Sequence, residues 1–120
     1  MTSPDATVLW DGRRAVVTLP AEIDVTNSAR LDELLAEVAG QRPVIMVADM
    51  TGTSFCDSSG IHALAHAYRL AAANGGEFRV AIGASPAVRV LQLTGLDQVL
   101  PVYDDLRQAL DAPGTQAQRA

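Results

Sequence analysis

The sequence predicts an α/β fold: a single domain with a mixed, mostly parallel β-sheet, an antiparallel hairpin at its N-terminal end, and about four helices mainly on one side of the sheet. Three observations lead to this fold class. An Asp11-Gly12 pair, a strong hairpin signal, separates two apolar runs. Residues 44–48 form a continuous apolar run rich in β-branched side chains, as in a strand buried on both faces. Beyond this run, segments with helical spacing alternate with further strand-like runs, and such alternation implies parallel pairing.

The predicted order of elements is β-β-α-β-α-β-α-β-α. In chain order the segments are strands at 6–10 and 14–19, a loop at 21–25, a helix at 26–39, a strand at 43–48, a central helix ending at 74–76, a strand at 77–82, a helix at 85–94, a strand at 99–103 and a helix at 104–111.

Capping and turn residues set the expected boundaries of these elements. Thr26 is predicted to cap the first helix and Gly40 to end it. Ser85 is predicted to cap the third helix, with Pro86 in its first turn. Pro101 removes a backbone donor, and the last strand is therefore expected at an edge of the sheet.

The length and the cysteine content favour one intracellular domain. At 120 residues the chain can bury a core without disulfides or a structural metal, and we assign residues 5–111 to the domain and 112–120 to a polar, disordered tail. Cys56 is the single cysteine, and no charged and then apolar leader opens the sequence. We therefore expect a reducing, cytoplasmic location.

The charge balance favours a protein partner. A net charge of -5, from 14 acidic and 9 basic residues, argues against nonspecific nucleic-acid binding and against binding to an anionic membrane. No apolar run is long enough to span a bilayer, and no Gly-rich phosphate loop supports a nucleotide cofactor. We expect a partner with a basic face, no nucleic acid, no membrane, no cofactor and no metal.

The most informative segment lies between the buried strand and the central helix, at residues 50–61. Small hydroxyl and acidic residues stand there where a strand leads into a helix N-terminus, a position that favours negative charge. Ser58 and Ser59 could carry a phosphate covalently. Each could instead only cap the helix, and Gly60 could either permit a close approach to a strand or partner or be merely flexible.

Two histidines follow on the same helix. His62 and His66 are four residues apart, a spacing that metal sites use, but a solvated or partner-facing pair is favoured because no glutamate follows the first histidine. A hydrolase with Ser58 as nucleophile and His62 as base is disfavoured, since the glycine expected two places before the serine is absent. Cys56 is expected to be a buried small hydrophobe rather than a reactive thiol.

Three motifs carry a family resemblance. They are Leu19-Pro20-Ala21-Glu22-Ile23-Asp24, the segment from Asp49 to Ile61 with its Asp-Ser-Ser-Gly core, and Gly75-Gly76 with the later Ser85-Pro86-Ala87-Val88 and Leu93-Thr94-Gly95-Leu96. With them, the chain resembles an anti-sigma factor antagonist of the STAS (sulfate transporter and anti-sigma factor antagonist) domain family. The resemblance covers roughly residues 5 to 111.

The resemblance implies a phosphorylation switch. An anti-sigma factor with serine kinase activity would phosphorylate Ser58, with Ser59 as the second choice, and a phosphatase would remove the phosphate. The unmodified chain would bind the anti-sigma factor and thereby free a sigma factor. The partner-binding residues implied are Asp24, Asp57, Ser58, Ser59, Gly60, Ile61 and His62.

The sequence departs from the family pattern at two positions. Ala21 replaces a glycine, which is expected to change the loop holding Asp24 because alanine disfavours positive φ. His62 stands where another glycine is frequent, which bears on partner choice. The alternative function is a STAS scaffold or transporter-accessory domain that binds proteins without a phosphorylation cycle.

Overall fold

The computed structural model describes residues 5–114, which form one five-stranded sheet, a two-residue strand pair and four α-helices. The elements are β1 (Thr7–Asp11), β2 (Arg14–Thr18), β3 (Glu22–Ile23), α1 (Ser28–Gly40), β4 (Ile45–Asp49), β5 (Phe55–Cys56), α2 (Ser58–Ala73), β6 (Glu77–Ala81), α3 (Val88–Thr94), a 3₁₀ helix (Leu96–Gln98), β7 (Val102–Tyr103) and α4 (Leu106–Asp111). Residues 115–120 of the predicted tail lie outside the described residues. Within 5–114, no helix has the length and apolar character needed to cross a membrane.

The main sheet confirms the predicted fold class. Its strand order is β1-β2-β4-β6-β7, with β1 antiparallel to β2 and all other neighbours parallel. The Asp11-Gly12 turn joins the hairpin, and Gly12 has the positive φ of 61° that such a turn requires. β7 lies at the edge of the sheet, as the proline before it predicted.

Three helices cover one face of the sheet and α4 covers the other. The larger buried cluster joins α1, α2 and α3 to the sheet, and its aliphatic members include Leu31, Leu35, Met46, Leu64, Val80 and Leu91. The smaller cluster packs Ala109 of α4 against Val47 and Ala81. The sheet is thus buried on both faces at β4 and β6, which explains the unbroken apolar run in β4.

A buried arginine holds α4 in place. Arg79 of β6 is 1% exposed; its Nη1 donates to the Ala109 carbonyl at 2.7 Å and its Nη2 to Glu77 Oε2 at 2.7 Å. Its guanidinium carbon lies 6.0 Å from the centroid of the Tyr103 ring. The last carbonyls of a helix lack intrahelical donors and carry partial negative charge, and the guanidinium supplies both a donor and a positive charge.

The prediction of a loop at 21–25 was wrong in part, because this segment contains the strand β3. This strand pairs in parallel with β5, opposite Phe55 and Cys56, and the pair lies outside the main sheet. Two-residue strands show no periodicity, so the sequence pattern could not reveal them.

Two predicted helix starts were also wrong, and the first helix ends one residue later than predicted. The first helix begins at Ser28, since Thr26 donates its N–H to Asp24 Oδ1 at 2.9 Å rather than capping the helix. Gly40 is the last helical residue, and the left-handed residue that follows is Arg42, with φ of 60°. The third helix begins at Val88, because the Ser85 hydroxyl accepts from the N–H of Ala87 in a preceding turn and donates to the Thr53 carbonyl.

Candidate functional site

The β3–β5 pair brings two acidic loops together. Ile23 is paired with Cys56, and the N–H of Asp57 donates to the Ile23 carbonyl at 3.0 Å. Asp24 and Asp57 therefore follow adjacent parallel strands, at the same edge of the pair. The pairing thus places the backbone of Asp24 beside that of Asp57, directly before the start of α2.

The Asp24 loop is held by its own side chains. Asp24 Oδ1 accepts from the Thr26 N–H and from the Thr26 hydroxyl, and the N–H of Asp24 donates to Asn27 Oδ1 at 3.1 Å. Asn27 Nδ2 in turn donates to the Glu22 carbonyl at 2.8 Å. These local bonds orient the Asp24 carboxylate without a partner protein.

Ala21 does not strain this loop. Among the non-glycine residues in 5–114, Arg42 alone has a positive φ, so Ala21 occupies ordinary backbone space. Its carbonyl accepts from the Ser54 and Phe55 N–H groups at 2.7 and 3.2 Å. The expected difference from the family's glycine-bearing loop stays a prediction.

Asp57 caps α2. Its Oδ1 accepts from the Ser59 N–H at 2.9 Å, from the Gly60 N–H at 3.3 Å and from the Ser59 hydroxyl at 2.5 Å. The Ser59 hydroxyl above all, together with the backbone N–H groups of Gly60 and Ser59, holds the pKa of the Asp57 carboxyl below its ordinary value, against the opposing effect of burial. A negative charge thus already occupies the N-terminus of α2.

The two candidate serines differ in environment. Ser58 is the first residue of α2 and is exposed, and within residues 5–114 its hydroxyl makes no hydrogen bond. Ser59 is half-buried and its hydroxyl donates to Asp57. The cap of α2 is therefore Asp57, and neither serine is the N-cap residue.

Gly60 allows α2 to lie close to the β3–β5 pair. It is buried, and a Cβ added there would lie 2.6 Å from both Cys56 Sγ and Ile23 Cγ2. The glycine thus serves close approach to the strands rather than to a partner. Ile61 is half-buried and packs against the core, whereas His62 is exposed.

A groove of about 400 Å³ lies between α1 and α2 beside Ser59. Its polar lining consists of Ser28, Asp32, Ser59, His62, His66 and Arg69. His66 Nδ1 lies 2.8 Å from Asp32 Oδ1, so this pair links the two helices. In the part of the chain that the structure describes, no group of three or more His, Cys, Asp or Glu side chains is arranged to hold a metal.

Cys56 is a buried part of the core, as its sequence context predicted. Burial, and secondarily the charge of Asp57, raises the pKa of the Cys56 thiol to about 11. The thiol is therefore protonated at neutral pH, which makes it a poor nucleophile.

Two exposed apolar side chains near the serines escaped the sequence interpretation. Phe55 precedes the buried cysteine and is 50% exposed, and Val25 follows Asp24 and is 76% exposed. The alternation of Phe55 with buried Cys56 was a possible signal, but two residues are too few to establish a period.

Comparison with known proteins places these features in a family context. The STAS domain family model matches residues 7–109. The anti-sigma-F factor antagonist RsfB of Mycobacterium tuberculosis is 31% identical over 113 residues, 92% of each chain, and an anti-sigma F factor antagonist of Paenibacillus polymyxa is 30% identical over 96 residues, covering 79% of this chain and 82% of its own. The crystal structure of an anti-sigma factor antagonist from Mycobacterium paratuberculosis superposes with a TM-score of 0.80 at 28% identity, over 100% of both chains.

Proposed function

The chain belongs to the STAS domain family, and from this premise we propose that it is an anti-sigma factor antagonist whose binding to an anti-sigma factor is switched off by phosphorylation of Ser58. Relatives that carry the name anti-sigma-F factor antagonist match nearly the whole chain, which supports the antagonist role. The kinase in this proposal is the anti-sigma factor itself, and a phosphatase restores the binding form.

The observation that carries the choice of Ser58 is the different use of the two serine hydroxyls. Phosphoryl transfer needs a hydroxyl that can reach the kinase site and give up its proton there. Ser58 is exposed and its hydroxyl is available, whereas the Ser59 hydroxyl donates to Asp57 at 2.5 Å. A phosphate on Ser59 would break this bond and place its charge against the carboxylate.

The charges around Ser58 support an inhibitory effect of phosphate. A phosphoserine adds about -1.5 to -2 charges at neutral pH. Asp57 caps the same helix end, and Asp24 follows the adjacent strand. A partner surface that is basic enough to accept these acids would have to accommodate a bulky dianion in the same place, and a close-packed interface has no room for it.

The exposed apolar side chains supply the second part of the proposed interface. Phe55 and Val25 flank the acidic loops, and aromatic side chains at the centre of an interface commonly carry much of the binding energy. We assign them to contact with the anti-sigma factor, surrounded by Asp24 and Asp57. Substitution of Phe55 by alanine is then expected to weaken binding at least about tenfold.

Intact mass and tandem mass spectrometry test the phosphorylation step. The chain is incubated with ATP and the anti-sigma factor kinase of its host, in parallel with the variants Ser58→Ala and Ser59→Ala. We expect one phosphate on the unsubstituted chain and on Ser59→Ala, and none on Ser58→Ala. Phosphate on Ser59 would contradict the choice of acceptor, and absence of any phosphate would favour the scaffold alternative.

A binding assay tests the switch itself. We expect Ser58→Asp to weaken the complex with the anti-sigma factor. Gln108→Glu adds a negative charge at an exposed position of α4, on the opposite face of the sheet, and should leave binding unchanged. Equal binding of Ser58→Asp and the unsubstituted chain, measured by calorimetry, would contradict the proposed mechanism.

A further inference from the structure

The N-terminus of α2 has few donors left for a phosphate on Ser58. The Ser59 and Gly60 N–H groups already donate to the Asp57 carboxylate, and the Asp57 N–H donates to the Ile23 carbonyl at 3.0 Å. Three of the first four N–H groups of the helix are therefore in use. A phosphate attached at Ser58 must find its counter-charge elsewhere.

His62 is placed to supply that charge. Residues at positions i and i+4 of a helix lie on one face with Cβ atoms about 5 to 6 Å apart, and the side chain of the later residue leans towards the helix N-terminus. Ser58 and His62 have this spacing in α2, and both are exposed. The i, i+4 spacing therefore places the His62 imidazole within reach of a phosphate on Ser58.

The other two basic side chains of α2, a helix that lies wholly within the described residues, do not supply this counter-charge. His66 Nδ1 is paired with Asp32 Oδ1 at 2.8 Å. Arg69 lies eleven residues beyond Ser58, about 16 Å along the helix axis. His62 is thus the base of α2 within reach.

We propose that His62 is the intramolecular counter-ion of phosphorylated Ser58 and folds the phosphate back onto α2. This inference rests on the proposed function, because it requires a phosphate at Ser58. His62 acts here as a positioning residue: it holds the phosphate and reduces the net charge that faces a partner.

The pairing is expected to favour the dianionic form of the phosphate. A phosphoserine takes up its second negative charge near pH 6, a range in which a histidine side chain can also carry a positive charge. The charged groups around His62 are Asp57 at the helix cap, Asp32 on α1, and His66 and Arg69 on α2.

The test places phosphoserine at position 58 of the full chain during translation, by genetic code expansion, so that no kinase is needed. The ionisation midpoint of the phosphate is then followed by ³¹P NMR from pH 5 to 8.5. We expect this midpoint to lie about 0.5 pH unit lower in the chain with His62 than in the variant His62→Gln. The matched variant His66→Gln should keep the shift, and His62→Lys, whose charge is permanent, should restore it.

Equal phosphate midpoints with His62 and with His62→Gln, both confirmed as folded by circular dichroism, would overturn the inference. A shift lost equally in His66→Gln would overturn it too, because it would assign the effect to the groove as a whole. Since the phosphate is installed without a kinase, either result leaves the phosphorylation proposal intact. Failure of the kinase assay would in turn leave the counter-ion result intact.

Discussion

Replacement of Gly60 by alanine is expected to destabilise the domain, because the added Cβ has no room. It would lie 2.6 Å from Cys56 Sγ and from Ile23 Cγ2, and 3.4 Å from Ile23 Cβ, whereas ordinary contacts between such atoms need about 3.5 to 4.0 Å. Ile23 is β-branched and buried, so its methyl group cannot rotate away. The start of α2 must therefore move about 1 Å away from the β3–β5 pair.

The expected magnitude follows from two opposing effects. Overpacking of this kind costs about 1 to 3 kcal/mol, and the better helix propensity of alanine offsets at most about 1 kcal/mol. We therefore expect a net loss of about 1 to 2 kcal/mol in the free energy of unfolding. For a domain of this size, that loss lowers the Tm by about 4 to 8 °C.

The assay is thermal and urea unfolding of Gly60→Ala beside Gly52→Ala. Gly52 is the matched control because a Cβ there meets no atom within 4 Å. The control should keep its Tm within about 2 °C. A Gly60→Ala variant as stable as the control would refute the reasoning, since it would show that α2 does not depend on close contact with Ile23 and Cys56.

Further predictions concern Arg79, Cys56 and Asp57. Arg79→Leu should lower the free energy of unfolding by about 2 to 4 kcal/mol, because it leaves the Ala109 carbonyl and Glu77 without their guanidinium donor. Arg107→Leu, on the exposed face of α4, should change this free energy by less than about 0.5 kcal/mol. Comparable losses for the two variants in urea unfolding would contradict the role of Arg79 in holding α4. Iodoacetamide at pH 8 should alkylate native Cys56 at least about 100-fold more slowly than the urea-unfolded chain, given a thiol pKa of about 11, and equal rates would show an accessible thiolate. The thiol ionises at lower pH in the unfolded chain than in the folded one, so its contribution to stability is present below about pH 8.5 and is lost as the pH rises towards 11. Cys56→Ala should not show this loss of stability. The pKa of Asp57 is lowered in the fold, so its contribution to stability is present above about pH 4 and is lost at lower pH. Asp57→Asn should therefore be less stable than the unsubstituted chain at pH 7 and should lose less stability on acidification. Parallel curves of unfolding free energy against pH for the two proteins would exclude the cap as the cause.

Local signals in the sequence were sufficient for the order of the larger elements. The Asp-Gly turn, the apolar run of β4 and the helical spacing of α1 and α2 depend on neighbouring residues alone, and the type and order of these elements were predicted correctly. Adjacent residues also indicated that Asp57 and Ser58 lie at the start of α2, since the strand pattern and the helix pattern meet there. The candidate segment could therefore be located from the sequence alone.

Contacts between distant segments decided the rest. The pairing of Ile23 with Cys56 brings Asp24 to the start of α2 and explains Gly60, yet two-residue strands leave no periodic trace. Arg79 is a charged residue within a strand, and only the position of α4 against the sheet explains its burial.

The choice between the two serines illustrates the division most clearly. The sequence by itself determined that two hydroxyls lie at a helix N-terminus next to an aspartate, because capping residues are read from adjacent positions. Only the folded backbone decided that the Asp57 carboxylate turns towards the Ser59 hydroxyl and leaves Ser58 exposed. The physical reason is that a hydroxyl's availability depends on the directions of its neighbours in space, and the packing of α2 on the β3–β5 pair sets those directions.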